Sequence, residues 1–242
     1  MRISAVPVAI TFFACLASCE EKSAPPAPGK VKVADLAKAE IPILSLKEGD
    51  YWKYKVIVEI PEGITSEGAA AIEIEQEKTR IYKGKVFVAE GYPEVDAFDV
   101  SAPGQPVERE LVEIYEDKIM MRGSAFPGKP ESEPVWLNPA VPFVSAGIRA
   151  GQDLAKLGVQ DGGRKRGIKV VAREKRKVPA GEFDSIRILM TGNDGKFEVR
   201  RTTWFVPGVG IVKEEKSRYA DGKLIFRETT DLVETSVAVE EK

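Results

Sequence analysis

The side chains with chemical potential in this sequence are carboxylates, basic groups and aromatics, because its 242 residues contain no histidine. Without imidazole a chain cannot build a Ser/His/Asp triad, a Cys/His dyad or an H-E-x-x-H zinc site. Carboxylates remain as acid–base groups. Glu73, Glu75 and Glu77 recur at a spacing of two, which places them on one face of a strand, and Glu94, Asp96 and Asp99 form a second acidic group in an expected loop. Paired carboxylates run glycoside hydrolysis when they stand about 5 to 9.5 Å apart, and clustered ones hold calcium. The first run reads as a wet face, since three like charges in a row repel one another. The second lacks the D-x-[DN]-x-[DN]-G spacing of a calcium loop. No P-loop, dinucleotide glycine fingerprint or nucleophile elbow is present. The expectation is a protein without catalytic residues, metal or dissociable cofactor.

Two other groups could make contacts. Arg164, Lys165, Arg166, Lys169, Arg173, Lys175, Arg176 and Lys177 crowd one stretch with Glu174 the only acid inside it, a pattern suited to anionic lipid headgroups or to a solvated strand face that discourages edge pairing. Aromatic residues are missing from it, and the net charge of the chain is only -2, so nucleic acid is not an expected partner. Trp52, Trp136, Trp204 and Phe205, with Phe143, Phe183, Phe197 and Phe226, either fill a core or line an apolar-ligand pocket.

The first forty residues set the address. Arg2 precedes the nearly uncharged apolar run Ile3 to Leu16, which is short for a permanent span of about 20 residues and reads as a signal peptide. It ends in Leu16-Ala17-Ser18-Cys19, which resembles the lipobox of bacterial lipoproteins: an aliphatic residue, two small residues and a cysteine. The resemblance implies cleavage after residue 18, a diacylglycerol on the Cys19 thiol and an N-acyl chain such as palmitate on its amine. The membrane is then a partner through the lipid. Glu20 in place of the aspartate that marks inner-membrane retention implies the outer membrane, facing the periplasm. Residues 20–39 are rich in Glu, Lys, Ser, Ala and Pro and read as a flexible tether, reaching up to ~60 Å when extended. Cys15 precedes the cleavage site, so no disulfide is expected in the folded part.

From Gly49 onward the apolar period is two, as in Trp52, Tyr54, Val56, Val58 and Ile60 against Lys53, Lys55 and Glu59. Further strands are expected at about 71–80, 85–92, 110–116, 118–122, 167–178, 182–192, 196–206, 209–219 and 222–232. Asn193-Asp194-Gly195 and Asp221-Gly222 mark hairpins. Between 123 and 165 the alternation lapses into Pro127, Pro130, Pro134, Pro139 and Pro142, followed by one short helix over Ser145–Leu157. Either group of strands alone would leave an apolar sheet face bare, so a single mainly β domain over 41–233 is expected: a curved antiparallel sheet or half-barrel. Residues 234–242 read as a disordered tail.

Val178-Pro179-Ala180-Gly181-Glu182-Phe183-Asp184 and Trp204-Phe205-Val206-Pro207-Gly208-Val209-Gly210-Ile211-Val212-Lys213, with the upstream Gly49-Asp50-Tyr51-Trp52-Lys53-Tyr54, resemble a motif set shared by uncharacterised bacterial exported proteins and lipoproteins. The resemblance implies a half-barrel similar to periplasmic lipoprotein carriers and brings no catalytic residue with it. The functional expectation is a lipid-anchored cell-envelope protein with a binding or structural role toward an envelope protein. The alternative is a carrier of an acyl chain or other apolar ligand in the half-barrel, and a third reading is a carboxylate-dependent glycan hydrolase. If the lipobox is read correctly, Cys19→Ala leaves an unprocessed precursor, or moves the protein out of the detergent-rich phase on Triton X-114 partitioning; normal cleavage with unchanged membrane association refutes the lipid anchor.

Overall fold

The computed structural model describes residues 43–66, 68–129, 133–145, 160–161, 164–165, 167–194 and 196–237. Among the described residues thirteen strands are formed: β1 (Tyr51–Ile60), β2 (Ile72–Val86), β3 (Val95–Ser101), β4 (Glu108–Ile114), β5 (Lys118–Ala125), β6 (Val135–Ser145), β7 (Gln160–Asp161), β8 (Arg164–Lys165), β9 (Gly167–Val178), β10 (Gly181–Asp194), β11 (Phe197–Val206), β12 (Gly210–Ala220) and β13 (Lys223–Thr235). Eleven make one sheet in the order β6-β5-β4-β3-β2-β1-β13-β12-β11-β10-β9, and β7 and β8 form a separate hairpin. The chain therefore starts in the middle of the sheet, meanders out to one edge, crosses to the other edge at β9, and meanders back until its last strand pairs with its first. Every pairing is antiparallel.

Period two puts Trp52, Tyr54 and Val56 on the inner face, where all three are buried. Their cross-strand partners Arg80 and Lys78 on β2 and Leu232 and Thr230 on β13 share that face. The sheet curls until its two halves meet, so that Phe143 on β6 packs edge-on against Phe205 on β11 at 6.1 Å between ring centroids. One core runs through both halves and includes Trp52, Phe98, Ile119, Phe143, Ile188 and Phe205. A strap ahead of β1 reinforces the closure. Ile43 donates its N–H to the Glu116 carbonyl at 3.0 Å and accepts from Gly208 at 2.9 Å, joining the β4–β5 turn to the β11–β12 turn.

Local chemistry explains the turns. Asp221 and Gly222, at φ of 48° and 76°, make the tight β12–β13 hairpin that their sequence announces. Gly210 has φ of 105°, and a Cβ there would stand 3.3 Å from the Trp52 indole nitrogen, so this position requires glycine on both counts. The indole N–H of Trp52 donates to the Val209 carbonyl at 2.7 Å, and the Tyr54 hydroxyl donates to the Ile211 carbonyl at 3.0 Å.

The mainly β antiparallel architecture agrees with expectation, and several element boundaries do not. The strand expected over 85–92 is not one element: β2 runs on to Val86, and β3 begins at Val95. Asp96 and Asp99 therefore lie on a strand and not in a loop. β6 forms inside the proline-rich stretch. It occupies a sheet edge, and its pairing with β5 is irregular on either side of Pro142, which is where a residue lacking an N–H can sit in a sheet. The expected helix over Ser145–Leu157 has Ser145 as the last residue of β6, and residues 146–157 lie outside the described ones; the described residues contain no helix. Of the tail expected over 234–242, the first residues belong to the fold: Glu234 accepts a hydrogen bond from the Tyr51 hydroxyl and Val237 is buried in the core, and residues 238–242 lie outside the described ones.

Trp52→Phe removes the indole donor and strands a buried carbonyl. A loss of about 1–3 kcal/mol in urea unfolding is expected, against less than about 0.5 kcal/mol for Lys53→Ala on the solvent face.

Candidate functional site

The inner face changes character along the strands. Near the strap it is apolar; one turn of the pleat further it is crossed by charged side chains that share the parity of Trp52. On β2, Arg80 donates through Nε to Glu110 of β4 at 2.9 Å, and its Nη2 lies 2.8 Å from the same carboxylate. The Arg80 guanidinium also stacks on Phe98, 3.6 Å from the ring centroid. On the facing half, Arg201 of β11 donates to Glu214 of β12, Lys216 lies 3.1 Å from Glu214 and 3.4 Å from Glu228 of β13, and Lys78 lies 2.9 Å from Glu228. Since Lys78 and Arg80 are two residues apart on one strand face, these groups form a ring of ion pairs around the interior.

Burial and charge oppose each other here. Burial by itself would raise the pKa of Glu214, but the cations Arg201, Lys216 and Lys78 overcome it and hold this carboxyl well below the usual range. Glu110 and Glu228 are likewise lowered against their own desolvation, Glu110 by Arg80 and Arg201 and Glu228 by Lys216 and Lys78. The field of Arg201 on Glu110 acts across the interior, from one half of the sheet to the other. Between the ring and the apolar floor remains a cavity of about 30 Å³ bordered by Leu44, Phe98, Phe143 and Phe205, room for a water or two.

The outer face of the other half offers more space. A groove of about 620 Å³ crosses β10 to β13 and reaches Glu59 of β1. Register places its side chains in rows: Leu189, Thr202, Glu215 and Thr229 in one, and Thr191, Arg200, Ser217, Arg227 and Glu59 in the next. Beside it Arg176 reaches Glu215 at 3.8 Å and lies over the Trp204 ring at 4.5 Å, and the Trp204 indole N–H donates to Glu174 at 2.7 Å.

Of the four aromatics proposed to line one pocket, Trp52, Trp204 and Phe205 belong to one buried cluster. Within it Trp204 has the opposite parity to Phe205 and lies under Arg176. Trp136 belongs to a second small cluster with Val95, Ala97 and Leu111 on the outer face of the other half, edge-on to Tyr92 at 5.0 Å. Of the basic stretch, Lys169, Lys175 and Lys177 are exposed on the edge strand β9, Arg173 and Arg176 are half-buried, Arg164 and Lys165 supply backbone to β8, and Arg166 lies outside the described residues. Cys19 also lies outside them. Glu73, Glu75 and Glu77 are exposed, and Lys55 pairs with Glu75 at 2.7 Å. Asp96 accepts from the Tyr82 hydroxyl at 2.7 Å, and Asp99 pairs with Arg109 at 2.6 Å, so both serve strand pairing.

Sequence reasoning missed the ring. The available signal was parity, since Lys78 and Arg80 continue the face of Tyr82, and Glu214 and Lys216 that of Val212.

Because the ring carboxylates have folded pKa values below their unfolded ones of roughly 4.3, their stabilisation is present above that pH and is lost as pH falls through the folded values. The urea midpoint should fall between pH 5 and pH 3 (about the carboxylate range), and Glu214→Gln should cost ~3 kcal/mol at neutral pH and flatten that acid limb.

No family model matches the chain. No curated protein matches it either. Among solved structures it is similar to a candidate exported protein with a YmcC-like fold from Bacteroides fragilis, at 12% identity and a TM-score of 0.46, with 81% of this chain and 99% of that chain covered.

Proposed function

We propose that the protein is exported, anchored in the bacterial envelope by lipid on Cys19, and acts without catalysis as a binding protein whose working surface is its outer face. The observation that carries this reading is how space is distributed. The half-barrel interior is closed by the apolar floor and the ion-pair ring around a cavity of about 30 Å³, whereas the outer groove measures about 620 Å³, within the ~300–1,000 Å³ typical of small-molecule sites. An acyl chain would have to part the Arg201–Glu214 and Lys216–Glu228 pairs, each of which is costly to separate inside a protein. The carrier alternative is the less favoured for that reason.

Polarity along the strands supports the same reading. The chain enters the domain at Ile43, beside the turns at Glu116 and Gly208 and close to Tyr51 at the start of β1. The groove reaches Glu59 near the other end of that strand, eight residues or ~26 Å away. A tether joined at the first pole leaves the groove free of the point of attachment.

Native mass spectrometry of the full lipidated chain released from detergent, with an organic extract of the same sample, tests the choice. The mass of the protein with its covalent acyl groups alone is expected; stoichiometric lipid that extracts without cleavage of Cys19 overturns the reading in favour of the carrier.

A further inference from the structure

We infer that the outer groove of β10 to β13 is a binding site for an uncharged oligosaccharide chain; this rests on the outer-face reading above and names its ligand. Among the side chains that line it, Thr191, Thr202, Ser217, Tyr219 and Thr229 carry hydroxyls. Because their positions follow the pairing register, Thr202 and Thr229 lie either side of Glu215 in one row, and Thr191 and Ser217 either side of Arg200 in the next. The hydroxyls of a row therefore stand two strands, about 9.6 Å, apart with a charged side chain between them, and this alternation of hydroxyl and charged groups answers the hydroxyls of a sugar chain.

The charges select against other ligands. Arg200 is held by Glu198 at 2.7 Å, Arg227 faces Glu59 at 3.7 Å, and Glu215 lies 3.5 Å from Lys213 and 3.8 Å from Arg176. Every charged group of the groove is thus compensated from within. An anionic ligand would have to displace a carboxylate from an arginine, and an apolar one would desolvate both partners without replacing their hydrogen bonds. A neutral polyhydroxyl ligand does neither: it can share the remaining N–H donors and carboxylate lone pairs, as paired charges in planar groups allow. Tyr219 completes the site. Its ring carries the Arg200 guanidinium at 4.8 Å, so ring and guanidinium form one stacked planar unit at the end of the groove against which a sugar ring can rest.

The test is calorimetric titration of the full chain in detergent with maltohexaose, cellohexaose and chitohexaose, with polygalacturonate as the anionic comparison. Binding of at least one neutral oligomer is expected, weakened about tenfold by Tyr219→Ala and by Arg200→Ala, with the urea midpoint of each variant close to that of the parent. Should either variant unfold, Ser217→Ala with Thr202→Val, which removes two hydroxyls from the rows, must weaken binding in its place. Absence of binding to all three neutral oligomers, preference for polygalacturonate, or neutral binding unaffected by these variants overturns the inference. A photo-crosslinker at Ser217 separates its failure from that of the reading beneath it. Crosslinking to a defined envelope protein without saccharide binding removes the saccharide and leaves the outer face as the working surface; lipid extracted from the interior removes both.

Discussion

Trp52 is fully buried, and its indole reaches the carbonyl of Val209 at 2.7 Å across 157 residues of sequence. The rest of the structure depends on that contact. β1 must present Trp52 inward, the β11–β12 turn must bring a carbonyl to meet it, and Gly210 must leave room where any Cβ would crowd the ring. Phe98 packs edge-on against the same indole at 5.7 Å, so β3 is drawn into the same arrangement. The Gly49 to Tyr54 segment and the Pro207 to Lys213 segment, far apart in the chain, are two sides of one joint. The segment from Val178 to Asp184 adds to it, since Ala180 donates to the carbonyl of Leu232, on the strand that pairs with β1.

Closing a long antiparallel sheet onto itself creates a second problem. Two curved halves cannot be filled by aliphatic side chains to their open end without leaving an apolar mouth exposed to water. Here the filling changes from Trp52, Phe98 and Phe205 to paired charges, and the mouth beyond shows only scattered exposed apolar groups such as Ile72 and Ile74. Ion pairs in such a place add little net stability compared with apolar packing, but they penalise wrong registers heavily, because a shift of one residue on β2 or β12 would leave charges buried without partners. The ring therefore acts as a register lock for a sheet whose strands otherwise offer similar alternating faces.

On the reading proposed above, recognition falls to the outer face. Its two halves differ. On the half built from β3 to β6, Val95, Ala97, Leu111 and Trp136 make a compact apolar patch that stiffens the sheet. On the half built from β10 to β13 the rows are hydroxyls and compensated charges, and the overlying end of β9 contributes Arg176 to Trp204 and Glu215. The basic residues of β9 fall on an exposed sheet edge, where lysines discourage pairing with another chain, and this accounts for Lys169, Lys175 and Lys177 without a ligand.

Period-two alternation was legible in the sequence, and with it the strands of the second half, the Asp221-Gly222 hairpin and the division between Lys53 and Trp52, because burial of one sheet face writes itself directly into residue order. The secretory and lipobox readings rest on short contiguous segments that lie outside the described residues. β6 was hidden among prolines because only its edge position makes them acceptable, and position in a sheet is not a local property. Asp96 and Asp99 looked like loop acids because their partners, Tyr82 and Arg109, lie on neighbouring strands. The placing of Trp204 under Arg176, the ion-pair ring and the outer groove were decided by tertiary structure alone. Parity within a strand says which residues share a face, but only the curling of the sheet determines which face becomes the interior, and which charges meet across it.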